Sequence, residues 1–120
     1  MKIIYPDGNI GAHIPYEFSH IKTKEQFELS QKVISIDENF TATIIGQERT
    51  SVVWELQDIN YIAGEKIRSV YPEYKQLNIL RSGNQEQINK MNMFINAVRE
   101  WANSDNPDPW DGSLELIVPE

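Results

Sequence analysis

The chain has 120 residues, with an apolar share of 40%, aromatics at 10% and charged residues at 24%, which suits one domain with a real core and excludes disorder throughout. Eleven basic residues against 18 acidic ones leave a formal net charge of −7. DNA and RNA binding are excluded on that ground, because such binding draws most of its affinity from Lys and Arg neutralising phosphates, and here the basic residues are few and scattered. Cysteine is absent, so disulfides, a thiolate nucleophile and Cys-ligated zinc are excluded as well. No stretch approaches the roughly 18 apolar residues a membrane span needs, and the opening Met-Lys-Ile-Ile-Tyr-Pro-Asp-Gly turns too early to be a signal peptide core. The expected location is the cytoplasm.

The first part, residues 1–46, reads as mixed β and α. Lys2 to Tyr5 is an Ile-rich strand meeting a turn at Pro6-Asp7-Gly8, and Asn9 to Ile14 returns as the second strand of a hairpin. Pro15 ends it. Thr23 and Gln26 have the spacing of a capping box, so a short helix is expected to about Lys32. From Ser35 to Ile45 the residues Ile36, Phe40, Ala42 and Ile44 share one parity, the pattern of a single strand closed by Gly46.

Residues 47–104 read as a helical hairpin. From Ser51, apolar residues at Val52, Leu56, Ile59, Ala63, Ile67 and Val70 fall at helical steps, with Gly64 as a weak point. Pro72 stops or kinks this helix, and Glu73 to Arg81 resumes the pattern with Tyr74, Leu77 and Leu80. Gly83 punctuates its end, and Asn84 with Gln87 starts a second long helix to about Ala102. Its stripe is Ile88, Met91, Ile95, Val98 and Trp101, widened by Phe94. Two amphipathic helices joined by Ser82-Gly83-Asn84 fold back as an antiparallel pair. The remainder, residues 105–120, is an acidic Pro/Asp tail expected to be mobile or loosely docked, ending in a strand-competent segment at Leu114 to Val118. That segment either pairs with the amino-terminal sheet or augments a partner's sheet edge. The expected fold class is α+β: a small amino-terminal β-rich part, a carboxy-terminal helical hairpin and an extended tail.

Catalytic chemistry finds little footing. His13, Glu17 and His20 have a ligand-like spacing, but Pro15 lies between them, so no metal is assigned. Asp105, Asn106, Asp108 and Asp111 before Gly112 suggest calcium, yet counting back from Gly112 puts Pro107 and Pro109 where an EF-hand needs oxygen ligands. There is no Gly-x-Ser-x-Gly elbow and no phosphate-cradling glycine loop. No cofactor and no enzymatic activity are expected. The aromatic residues carry more information. Trp101 belongs to the helical stripe, whereas Trp54 lies off the best face of the first long helix and Trp110 sits in the acidic tail, and tryptophans so placed are favoured interface anchors.

Two stretches carry a resemblance. One runs from Tyr71-Pro72-Glu73-Tyr74-Lys75-Gln76-Leu77-Asn78-Ile79 to Arg81-Ser82-Gly83, and the other is the helix from Met91 to Trp101. Together with the opening Met-Lys-Ile-Ile-Tyr-Pro, they resemble the helical part of small tail proteins of tailed bacteriophages, the tail assembly chaperones and tail fibre assembly proteins. The resemblance covers about residues 54–101 and the first six; residues 13–46 match nothing of that family. It implies a non-enzymatic protein that binds a tail or fibre structural protein, in the cytoplasm of an infected bacterium or in the virion. The residues it and the aromatic pattern single out are Trp54, Tyr71, Tyr74, Lys75, Gln76, Asn78, Trp110, Leu114 and Leu116. Self-association of the hairpin is a further expectation. The alternative is an acidic phage-encoded inhibitor of a host defence or nucleic-acid enzyme, its carboxylates standing in for phosphates.

Overall fold

The computed structural model describes residues 1–4, 10–19, 21–30, 34–36, 38–39, 42–44 and 51–119. The expected turn at Pro6-Asp7-Gly8, together with His20, Phe40 and Gly46, lies outside the described residues. The fold is α+β, and the chain divides into two compact units, Met1–Asp58 and Ile59–Glu120.

In the first unit, β1 (Lys2–Ile4) and β2 (Ile10–His13) form the expected antiparallel hairpin, with Ile3 opposite Ala12 and an irregularity between Ile3 and Ile4. A 3-10 turn at Tyr16–Phe18 follows Pro15. Next comes α1 (Lys24–Ser30), whose capping box is complete. The Gln26 amide donates to Thr23 Oγ1 at 3.1 Å, and Gln26 Oε1 accepts from the Thr23 amide at 3.0 Å and the Lys22 amide at 2.6 Å. The helix buries Phe27, and among the described residues of this unit Met1, Ile3 and Ile21 are buried as well.

Two expectations are corrected here. The single strand expected from Ser35 to Ile45 is a hairpin of β3 (Ile34–Ile36) and β4 (Ala42–Ile44), turning at Glu38 and Asn39. Even parity continues across both strands, so alternation alone did not reveal the turn-forming Asn between them. The helix expected from Ser51 begins only at Leu56, because Ser51–Val53 is β5, antiparallel to β1 with Val52 opposite Ile3. The sheet order β2-β1-β5 makes β1 the central strand, which accounts for the burial of Ile3. Two adjacent β-branched residues, Val52 and Val53, favour the strand over the helix that the spacing alone suggests.

Helix α2 (Leu56–Val70) runs through Gly64 and stops before Tyr71-Pro72, as the missing proline amide requires. In the second unit it contributes the buried residues Ile59, Ile62 and Ala63. Helix α3 (Glu73–Ser82) ends at Gly83, whose φ of 66° is left-handed and whose amide donates to the Leu80 carbonyl. Helix α4 (Gln85–Ala102) begins at the expected N-cap: the Gln87 amide donates to Asn84 Oδ1 at 3.1 Å. It buries Met91, Phe94, Val98 and Trp101, while Ile88 and Ile95 are half-buried. Helices α3 and α4 form the expected hairpin. Residues 103–119 form turns rather than a strand, with the Ile117 amide donating to the Leu114 carbonyl at 3.2 Å. The strand expected at Leu114 to Val118 is therefore absent. The side-chain bonds of Asp108 and Asp111 and the left-handed Gly112 fold this stretch back on itself.

The two described helix-associated glycines respond oppositely to alanine. Gly83→Ala forces a Cβ into a left-handed position with nothing within 4 Å to compensate, and is expected to destabilise by about 1 kcal/mol. Gly64→Ala places its Cβ 3.1 Å from a guanidinium nitrogen of Arg68, the mobile end of a flexible side chain, and is expected to stabilise by up to about 1 kcal/mol. Urea denaturation of both variants checks the opposite signs.

Candidate functional site

Asp58 is the one buried carboxylate among the described residues, 2% exposed and positioned in the first turn of α2. Its carboxylate pairs with the Met1 ammonium and accepts from the Tyr16 amide at 2.8 Å and the Glu55 amide at 3.0 Å. The Glu55 bond caps α2 from within, since a first-turn carboxylate reaching back satisfies a donor that the helix leaves open. Burial pushes the Asp58 carboxyl up, but the bonds from the Met1 ammonium and from the Tyr16 and Glu55 amides outweigh it, so Asp58 titrates below the ordinary aspartate range. Both oxygens of this carboxylate are engaged by the protein itself, through three bonds. It serves the fold rather than a ligand.

Beside it, Glu55 bridges His13 Nε2 at 2.7 Å and Lys2 Nζ at 3.4 Å. The bridge follows from register: Lys2 stands opposite both His13 and Val53, and Glu55 lies two residues beyond β5. Chiefly the His13 hydrogen bond, against an opposing effect of desolvation and with help from Lys2, holds the Glu55 carboxyl below the ordinary glutamate range. His13, one of the three residues weighed as metal ligands from sequence, is thus engaged by a carboxylate from across the sheet. Among the described residues no group of three His, Asp or Glu stands where it could hold a metal ion.

The residues singled out from sequence separate into distinct surroundings. Trp54 precedes α2 instead of riding on it, and its ring lies 6.0 Å from that of Tyr16, tilted by 60°. Tyr71 is buried, its ring 5.7 Å from Phe94. Gln76 Nε2 donates to the Tyr71 carbonyl at 2.7 Å, and Lys75 Nζ lies 5.2 Å from the centre of the Tyr71 ring. Lys75 and Gln76 therefore close the break between α2 and α3. Tyr74 and Asn78 face outward on α3. Trp110 is half-buried, its amide donating to Asp108 Oδ1 at 2.9 Å. Leu114 is buried, whereas Leu116 is 82% exposed.

Two features were not legible in advance. The apolar stripe of α3 points outward: Tyr74 is 69% exposed and Leu77 and Leu80 53% each, and no residue of this helix is buried. The acidic tail is held rather than loose. The Trp101 indole N–H donates to Ser113 Oγ at 2.9 Å, Ser113 donates to Asp111, and Leu114 is buried next to this tie. The Ser113 hydroxyl and amide hold the Asp111 carboxyl below the ordinary range, a fold-back bond and not a cation site. The available signal was Trp101 itself, since a buried indole N–H requires an acceptor.

An open cleft of about 250 Å³ is lined by Asn60, Ala63, Gly64 and Ile67 of α2 and by Arg99, Ala102 and Asn103 at the end of α4. Its polar groups are one guanidinium and two carboxamides, which together supply neither a nucleophile nor a general base. No helix among the described residues is long and apolar enough to cross a membrane. No protein-family model, curated protein or solved structure matches the chain.

Because Asp58 titrates below its unfolded value, its contribution to stability is present above the unfolded pKa and is lost as pH falls through the folded one. Urea midpoints are expected to drop from about pH 5 downward in the native chain. In Asp58→Asn that part of the profile is expected to be missing, with a loss at neutral pH of about 3 kcal/mol, as for a broken buried ion pair. A pH profile unchanged by the substitution would remove Asp58 from this role.

Proposed function

We propose that this protein is a non-enzymatic assembly factor of the bacteriophage tail, binding a tail or fibre structural protein through its exposed carboxy-terminal apolar segment. The observation that carries this reading is the contrast along that segment. Leu114 is buried and Ser113 is tied to Trp101, yet Leu116 and Val118 two and four residues further on are 82% and 66% exposed. An anchored loop that holds two large aliphatic side chains in water presents them at low entropic cost, which is how interface anchors gain affinity. Leu116 and Val118 are both exposed within three residues of each other, so one apolar cleft of a partner can take both.

The family-like element supports the same reading in part. Lys75 and Gln76 are committed to closing the helix break, which leaves Tyr74 and Asn78 of that element on the outer surface. The charge of −7 speaks against a nucleic-acid partner and suits a protein one.

Affinity capture of the full chain from phage-infected or prophage-induced cells, at low and high salt, tests this. A tail or fibre protein retained at high salt is expected, because an apolar contact is little screened. Leu116→Asp with Val118→Asp is expected to abolish that recovery while leaving the fold intact, both positions being exposed. Capture of a host nuclease or defence protein that is lost at high salt, unaffected by these substitutions, would instead favour the acidic inhibitor.

A further inference from the structure

The outward face of α3 has an internal symmetry. About Leu77 as centre, Tyr74 and Leu80 stand three residues to either side, and Glu73 and Arg81 four. At 100° per residue all five side chains fall within an arc of about 120°. All five are exposed, whereas the half-buried positions Gln76 and Ile79 lie outside this arc. The face thus reads apolar in the middle, acidic at its amino-terminal end and basic at its carboxy-terminal end.

We infer that α3 is a self-association surface, on which a second copy of this chain docks its own α3 in antiparallel orientation about a two-fold axis at Leu77. In that arrangement residue 77 + k of one copy stands level with residue 77 − k of the other. Leu77 meets Leu77, Tyr74 stands level with Leu80, and Glu73 stands level with Arg81 at both ends. Charge complementarity selects this occupant. Only a partner carrying the same strip in reverse offers a base opposite Glu73, an acid opposite Arg81 and aliphatic surface opposite Tyr74, and a two-fold copy supplies all three from one sequence. A parallel copy would set Glu73 against Glu73 and Arg81 against Arg81, which disfavours it. The helix ends agree with the same order, since Glu73 sits in the first turn and Arg81 in the last, where each already complements the helix dipole.

One face of a 10-residue helix, about 15 Å long, covers less than the roughly 1,600 Å² of a standard interface, so the association is weak. The surface shares no residue with the Leu116–Val118 segment, and self-association is expected whether or not a tail protein binds there.

Sedimentation of the full chain from about 5 µM to about 1 mM tests the inference, with monomer expected at the low end and dimer at the high end. Leu77→Glu is expected to keep the chain monomeric throughout, with an unchanged circular dichroism spectrum because the position is exposed. Glu73→Arg and Arg81→Glu are each expected to lower the association constant about tenfold by setting like charges level. An equimolar mixture of those two variants restores complementarity at both ends and is expected to recover a heterodimer. A chain that stays monomeric at about 1 mM, or a dimer indifferent to Leu77→Glu, overturns the interface. Failure of the mixture to exceed either variant alone overturns the antiparallel register.

Discussion

The missing amide of Pro72 governs how the second unit presents itself. Without that donor, and with helical geometry disfavoured at the residue before it, the long apolar-periodic stretch cannot continue as one helix, and α2 ends at Val70. Tyr71 then turns inward against Phe94, and the Pro72 carbonyl accepts from the amides of Lys75 and Gln76 as α3 begins. The Gln76 side chain closes onto the Tyr71 carbonyl, so the polar groups exposed by the break are answered locally. With Tyr71 filling the interior, α3 has no buried residue of its own, and Tyr74, Leu77 and Leu80 are left in water. A proline that interrupts a helix thereby converts what looks like core into surface.

The first unit is organised around charge. Asp58 joins the chain's amino-terminal ammonium, the start of the 3-10 turn and the cap of α2 at one carboxylate, and Glu55 joins β1 and β2 from just beyond β5. These contacts explain why two of the acids in a chain of net charge −7 are not available as phosphate mimics. A buried pair of this kind contributes little beyond an apolar substitute, but losing one member leaves the other unpaired and is costly. Such ties specify the arrangement of strands too short to do so by pairing alone, β1 and β5 having three residues each.

Elements whose signals are local and chemical could be read directly from residues. The Thr23–Gln26 box, the Asn84 cap, the left-handed Gly83, the halt before Pro72 and the α4 stripe each depend on a few neighbours, and the structure has them where they were expected. Elements decided by pairing could not. Ser51–Val53 has helical spacing but becomes a strand because β1 needs a second neighbour, and the break in the even-parity run between Ile36 and Ala42 is a matter of which strand each half pairs with. The candidate site was legible as composition but not as orientation. Tyr71 and Tyr74 look alike in sequence, yet one is core and the other surface, and Leu114 and Leu116 divide in the same way. A stripe states which residues share a face, and says nothing of whether that face has a neighbour.

If the second unit works by displaying apolar side chains, its leucine and valine methyl groups will report it. The most direct measurement is a methyl NMR titration of the labelled full chain, first against its own concentration and then against candidate tail and fibre proteins. Movement of Leu77 and Leu80 with self-concentration, and of Leu116 and Val118 on adding a tail protein, is the expected result. Leu116 and Val118 methyls that stay fixed with every tail or fibre protein, while signals near other surfaces move, would contradict the assignment of that segment as the binding element.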